Sequence, residues 1–388
     1  MKLCTVAIGL ALVVAVACIG AVGLFLSYPS ERGAGAKPDA VSADEAAQTL
    51  AALHPPKRAR PVIAVVGANE GSETTDYLIP YGVLKRSGVA DVASLGVGPG
   101  PVKLMPALTI VPDATIAEFD LRYPDGADYV IVPALHNAQN PKLITWLKAQ
   151  SAKHAVIVGI CAGAWVLANA GLLDGRRGTT IWASIDRLRA VHPSMRYIAN
   201  RRYVADRGVV TTTGVTASLP LSLALVEAIA GSDRAASLAR ELGAQGWSVE
   251  HRSGAFRITR SDIWAALLSL TGLRRRETVG MRVAPGIDEV ALALAADAYA
   301  NTGLASVVAL SDSTAPVLTA NGVRLIPDGA MGKRQVDWTA ADISREEPVP
   351  AFENAFAEIE TRYGRDFASL SRLSLEYPED RSVRAAQE

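Results

Sequence analysis

The sequence has no charge imbalance: 39 basic residues stand against 39 acidic ones in a chain of 388. Nothing in the bulk charge therefore argues for a nucleic-acid partner. Cysteine is scarce, with three residues in all. Cys4 and Cys18 lie in or beside an apolar N-terminal run, which leaves Cys161 with no disulfide partner in the rest of the chain. A lone thiol is either a small buried residue or a reactive one. The five histidines, His54, His136, His154, His192 and His251, lack metal-ligand spacing, so no metal and no cofactor is expected. Beyond Arg240 no tandem helix-turn-helix pattern and no basic face is found, which argues against direct reading of DNA.

One long apolar run is present. Thr5 to Ser27 carries no charged residue, and at about 1.5 Å rise per residue such a run spans a bilayer core. Residues 1–29 are therefore expected to be a membrane anchor, with a cleaved signal segment as the competing reading. With Lys2 on the short side, the positive-inside rule puts the rest of the chain outside the cytoplasm. The expectation is an inner-membrane protein whose soluble part lies in the periplasm, or an exported protein, with the membrane as a partner through the N-terminal helix.

Residues 30–60, rich in Ala, Pro, Gly and charge, read as a flexible tether with a short helical patch from Ala46 to Leu53. From Pro61 onward, apolar runs of strand length alternate with helical patterns. Val62–Val66, Val92–Leu95, Tyr129–Val132 and Ala155–Ile160 read as strands, and Thr75–Ser87 and Pro141–Lys153 as helices. Alternation of this kind predicts an α/β fold with a mainly parallel sheet covered on both faces. The turn Asp206-Arg207-Gly208 between two short apolar runs predicts a hairpin, and a helix from Ala217 to Ala230 closes a domain over 61–245. Residues 246–278 read as a linker with an N-capped amphipathic helix that begins near Thr259 and ends in Arg274, Arg275 and Arg276.

The chain also contains an internal repeat. A shift of 215 positions lays Gly88–Asp113 on Gly303–Asp328 without a gap, with eight identities in twenty-six positions. Residues 279–388 are thus expected to hold a partial second copy of the domain, without a second cysteine, packed against the first, and a C-terminal tail.

The chemistry centres on "VIVGICAGAWVLANAGLL", Val156 to Leu173. An apolar strand, a cysteine and then Ala-Gly-Ala entering a helix is the pattern of a nucleophile elbow, in which small neighbours permit a sharp bend. A helix N-terminus beside the sulfur is expected to favour the thiolate.

With "DYVIVP" before it and "RYVADRGVVTTTGVTASLPLSLALVEAIAG" after it, this stretch resembles the ThiJ/PfpI (DJ-one) family of the class I glutamine amidotransferase-like superfamily. The resemblance is to the amidase-like branch otherwise seen fused to AraC-type DNA-binding regions. It implies a flavodoxin-like three-layer sandwich with the family's nucleophilic cysteine at Cys161. It also implies an acid/base carboxyl at Asp76, in "TDYLIPYGVL", where relatives carry an acidic residue just before a proline. Backbone donors for an oxyanion are implied at Ala134 and Leu135, where relatives have Gly-Gly, and at Ala162. Where relatives commonly read "TTHW" this chain has Thr179-Thr180-Ile181-Trp182, so Ile181 supplies no base. His136, on a loop leaving the same sheet edge, is the candidate replacement, with a solvent-facing loop histidine as the alternative.

The resemblance implies a cysteine-dependent hydrolase or hydratase acting on a small electrophile of the isonitrile, amide or dicarbonyl class. The alternative is a non-catalytic module that senses a ligand or oxidant through the same pocket.

Overall fold

The computed structural model describes residues 23–33, 35 and 39–378. The first half is built in chain order from α1 (Ala43–Ala52), β1 (Val62–Gly67), α2 (Thr74–Ser87), β2 (Asp91–Gly96), β3 (Val102–Met105), β4 (Thr109–Val111), β5 (Ala114–Thr115), β6 (Tyr129–Val132), α3 (Pro141–Ala152), β7 (Val156–Gly159), α4 (Gly163–Asn169), β8 (Tyr203–Asp206), β9 (Val209–Thr212) and α5 (Ser218–Ala230).

Seven of these strands form one sheet in the order β8-β9-β7-β6-β1-β2-β5. Every pairing in it is parallel except the β8/β9 hairpin, which turns at Arg207 and Gly208, both in the left-handed region. β1, β6 and β7 are buried along their whole length, as expected of strands covered on both faces. Alternate residues serve opposite layers: Ile63, Val65, Ile131 and Val158 face α2 and α5, while Ala64, Val66, Val130 and Ile157 face the layer holding Leu147 and Leu167. This is the flavodoxin-like three-layer α/β sandwich.

The second half carries α6 (Arg260–Leu270), β10 (Glu277–Arg282), α7 (Glu289–Ala300), β11 (Ala305–Ser311), β12 (Val317–Leu318), β13 (Arg324–Leu325), β14 (Gly329–Ala330), β15 (Trp338–Thr339), α8 (Pro348–Tyr363) and α9 (Arg365–Ser374). Its parallel sheet runs β14-β11-β10-β15. At the 215-residue offset, β1 falls on β10, the start of α2 on the start of α7, and β5 on β14. Individual bonds recur too. Ser94 N donates to Asp113 Oδ2 at 2.9 Å, and Ala309 N to Asp328 Oδ2 at 2.8 Å.

The two βαβ units meet about a local two-fold axis. β13 pairs antiparallel with β4, with Leu325 opposite Ile110, its own counterpart at the offset. α2 and α7 pack against each other, nearly every residue of α7 being buried. A Cβ on Gly82 would lie 2.6 Å from Val290 Cγ2 and 2.7 Å from Glu289 Oε1, so only glycine allows this approach.

Residues 30–60, expected as a flexible tether, are docked where described. α1 is capped by Ser42, Arg201 bonds Glu45 at 2.5 Å, and Leu53 is fully buried with its carbonyl accepting from Tyr129 Oη at 2.6 Å. The linker helix α6 starts at Thr259, whose hydroxyl and backbone form a reciprocal capping box with Asp262.

The membrane expectations are corrected. No helix among the described residues is long and apolar enough to cross a membrane. The N-terminal anchor, the membrane as a partner, the transmembrane assignment and the inner-membrane placement with a periplasmic domain all lose their support. Most of the apolar run, residues 5–22, lies outside the described residues.

Candidate functional site

The strand-to-helix bend is built as the small residues require. Ile160 follows β7, with its N–H donating to Val132 O at 2.9 Å. Cys161 then takes φ +54°, a left-handed conformation rare for a residue with a side chain. Its N–H donates to Thr212 Oγ1 at 3.0 Å, and its carbonyl accepts from Thr180 Oγ1 at 3.0 Å. The bend is thereby pinned to β9 on one side and to the Thr179-Thr180 segment on the other. α4 begins at Gly163, where a Cβ would lie 2.3 Å from Val132 O. Any other residue would push the helix off the sheet edge.

Asp76 is the third residue of α2. Glu73 caps that helix, accepting from Asp76 N at 2.5 Å, as an acidic N-cap does. One oxygen of Asp76, Oδ2, accepts from Ala134 N at 3.0 Å. The other, Oδ1, is buried and has no hydrogen-bond partner among the described residues. Asp76 is fully buried and Cys161 is 4% exposed.

The electrostatics reverse the expectation of a thiolate. Burial pushes the Cys161 thiol well above its usual range, and the neighbouring carboxylates of Asp76 and Glu73 push it further, against a single lowering contribution from the Ala162 backbone N–H. Burial likewise raises Asp76, with the Glu73 charge adding to it, and raises Glu73 itself. Burial thus acts on all three groups toward their neutral forms. The helix end is outweighed because α4 is only seven residues long, while burial and the nearby carboxyls all act in the opposite direction.

The expected site residues are brought together unequally. Cys161, Asp76, Ala134 and Ala162 share one locality. The Ala134 N–H is occupied by Asp76, and its carbonyl accepts from Glu73 N at 2.8 Å. Leu135 bridges Ser72 in antiparallel fashion. The Ala162 backbone N–H acts on Cys161 in the lowering direction. His136 is exposed, and its backbone N–H donates to Gly71 O at 3.1 Å. Ile181 packs its aliphatic chain against the core. Among the described residues no group of His, Cys, Asp and Glu could hold a metal ion.

Three acidic groups were missed. Glu73 was legible in principle, as an N-cap residue three positions before Asp76. Asp297 of α7 is fully buried with both carboxyl oxygens unpartnered among the described residues, and its carboxyl is raised to about 7 by burial. Glu376, from the end of the chain, is buried and its charge acts on the Cys161 thiol. Neither had a sequence signal, since each lies more than 130 residues from Cys161.

A parallel sheet with a cysteine at a left-handed strand-to-helix bend and a buried carboxyl on the first helix defines a cysteine-elbow α/β protein. Residues 62–228 match the model of the DJ-1/PfpI family. The chain is 30% identical over 132 residues to the Parkinson disease protein 7 homolog of Danio rerio, a match covering 33% of this chain and 69% of that protein. It is 41% identical over 58 residues to the HTH-type transcriptional regulator CdhR of Pseudomonas aeruginosa, covering 15% of this chain and 17% of that one. Among solved structures, Drosophila melanogaster DJ-1beta is similar with a TM-score of 0.42 and 24% identity, over 48% of this chain and 98% of that one. A ThiJ/PfpI family protein from Pseudomonas syringae is similar with a TM-score of 0.44 and 21% identity, over 55% and 87%. The chain belongs to the DJ-1/PfpI family, which includes cysteine-dependent hydrolases and regulators.

Proposed function

We propose that the protein is a cysteine-dependent hydrolase or hydratase acting on a small electrophile of the isonitrile, amide or dicarbonyl class, with Cys161 as nucleophile and Asp76 as acid/base. The domain over 61–245 carries this site, 246–278 links it onward, and 279–388 contains a partial second copy. The observation that carries the reading is the free oxygen of Asp76: a buried carboxyl, held by Ala134 through Oδ2, leaves Oδ1 without a partner in the locality of the thiol.

A protonated Asp76 suits the task. As the sulfur bonds to the electrophilic carbon, Asp76 delivers its proton to the substrate and recovers one from the thiol. Charge separation in a buried site is thus avoided. With an isonitrile, water then adds to the same carbon, the carbon–sulfur bond breaks with a water proton returning to the sulfur, and the formamide leaves. With an amide, the amine first departs with the Asp76 proton before water releases the acid. With a dicarbonyl, the carbon-bound proton first shifts to the neighbouring carbon, giving a thioester that water cleaves to the hydroxy acid. The Ala162 N–H stabilises negative charge on the sulfur during attack. His136 enters this scheme only if its loop turns inward, because its side chain is exposed.

The test is turnover of that substrate panel by the purified protein and by Cys161→Ala. A loss of more than about a thousandfold is expected, and equal activity of the two proteins would sink the reading. A second reading, a non-catalytic module that senses a ligand or an oxidant, divides on the same thiol. Its raised state and near-complete burial work against oxidation as well as against attack and favour the ligand-sensing form. That form predicts no turnover and no intact-mass gain of oxygen at Cys161 on peroxide titration, whereas the oxidant-sensing form predicts such a gain.

A further inference from the structure

Glu376 reaches the site from the opposite end of the chain. It follows α9 in the left-handed region, φ +56°, and is 2% exposed. Its Oε2 accepts from the Gly214 N–H. Its Oε1 lies 3.0 Å from Nε2 of His251, a buried imidazole stacked on Phe256 with ring centres 5.1 Å apart. Its charge also acts on the Arg202 guanidinium, whose Nε is buried without a partner among the described residues. The contact is close: a Cβ on Gly214 would lie 2.5 Å from Glu376 Cβ.

The donors belong to the elbow's own surroundings. Gly214 follows β9, whose Thr212 hydroxyl holds the Cys161 N–H. By contrast, the segment bearing Glu376 is laid on from outside. Leu373 O accepts from Trp182 Nε1 at 3.0 Å, Leu375 O from Thr216 N at 3.3 Å, and Glu376 O from Thr216 Oγ1 at 2.9 Å. A backbone N–H, an imidazole N–H and a nearby guanidinium converging on two oxygens form a receptor for a carboxylate. Nothing in its chemistry requires that the carboxylate be Glu376.

We propose that Gly214 N–H and His251 Nε2, with the Arg202 charge behind them, are a carboxylate-binding subsite beside Cys161, and that Glu376 fills it when no ligand is bound. The substrates or ligands of the site are then small carboxylates, which displace the C-terminal segment as they bind. This deepens the reading of Cys161 as a ligand site and rests on it, but its test needs no turnover.

Glu376→Ala in the full chain opens the subsite. Acetate, against equal chloride, is expected to restore part of the lost Tm in Glu376→Ala, to leave the unsubstituted protein unchanged, and to fail in Glu376→Ala/His251→Phe. Equal melting in acetate and chloride would overturn the proposal. Should Glu376→Ala not fold, Glu376→Gln keeps the side-chain volume, and alkylation of Cys161 provides the readout. In that reaction the sulfur bonds to the methylene carbon, iodide leaves with the bonding pair, and the thiol proton goes to water.

The rate ratio of iodoacetate to iodoacetamide is expected to rise on the order of tenfold over the unsubstituted protein, the worth of one charge-assisted hydrogen bond. A rise of both rates in proportion would mean that Glu376 only obstructs access, and no change in either would mean that the segment does not exchange; both overturn the subsite. Acetate rescue without Cys161-dependent turnover would remove the proposed enzyme function alone, and turnover without rescue would remove the subsite alone.

Discussion

The βαβ unit of β1, α2 and β2 and that of β10, α7 and β11 begin within one residue of each other at a single offset, yet among the described residues only the first leads to a cysteine at a strand-to-helix bend. After β2 the first unit's sheet continues through β6, β7 and β9, and the bend at the end of β7 presents Cys161. After β11 the second sheet gains only β14 and the two-residue β15 before the chain leaves in α8. The strand-helix-strand portion is thus common to both units, and the bend that carries Cys161 belongs to the strands that the first unit adds to it. The second unit still reaches the site. Position 82 of the first unit is a glycine that admits Glu289, while its counterpart, Asp297, brings a buried carboxyl against the Glu73 end of α2.

The two units are separated most severely if the strand pairing on the local axis is loosened. Leu325→Ala empties a fully buried position opposite Ile110, and a loss of about 2–5 kcal/mol is expected in urea unfolding. A loss below about 1 kcal/mol would show that the two units do not depend on each other there.

The acidic asymmetry is the next lever. Folded Asp297 holds its proton to about pH 7, while its ordinary value is 3.8, so its stabilising contribution is complete below about pH 4 and is lost as the pH rises to about 7. Burial moves Glu73 and Asp76 in the same direction. Asp297→Asn removes one such ionisation. It should be more stable than the unsubstituted protein by roughly 2–4 kcal/mol at pH 8, with the difference vanishing near pH 4. A difference independent of pH would place Asp297 in contact with solvent.

Gly82→Ala tests the same helix pair from the other side. With its new methyl 2.6 Å from Val290 Cγ2, a destabilisation of about 1–3 kcal/mol is expected, measurable as a lower Tm. The smallest effect belongs to His136→Ala, an exposed loop position, where stability should change by less than about 0.5 kcal/mol. A large fall in turnover at unchanged stability would instead restore His136 as the base.

Much of the fold was legible. The β6 segment, the bounds of α2 and α3 and the β8/β9 hairpin come from apolar periodicity and turn residues, which depend on neighbours a few positions apart. The same holds for the bend at Cys161, whose small flanking residues announce it. The membrane-crossing helix was read from one apolar run, and the described residues give it no support. The His136 loop was read from its sheet edge alone, which does not say which way a side chain turns. Glu376 and His251, 125 positions apart, could not be connected to Cys161 by any local pattern.

The sequence by itself determined that a cysteine stands at a strand-to-helix bend of a parallel α/β sheet, because that geometry is set by residue size and backbone freedom at the bend. Only the tertiary structure decided the state of the thiol. Burial and the charges of Glu73, Asp76 and Glu376 act through space, and their sum depends on groups from both ends of the chain meeting at one sheet edge.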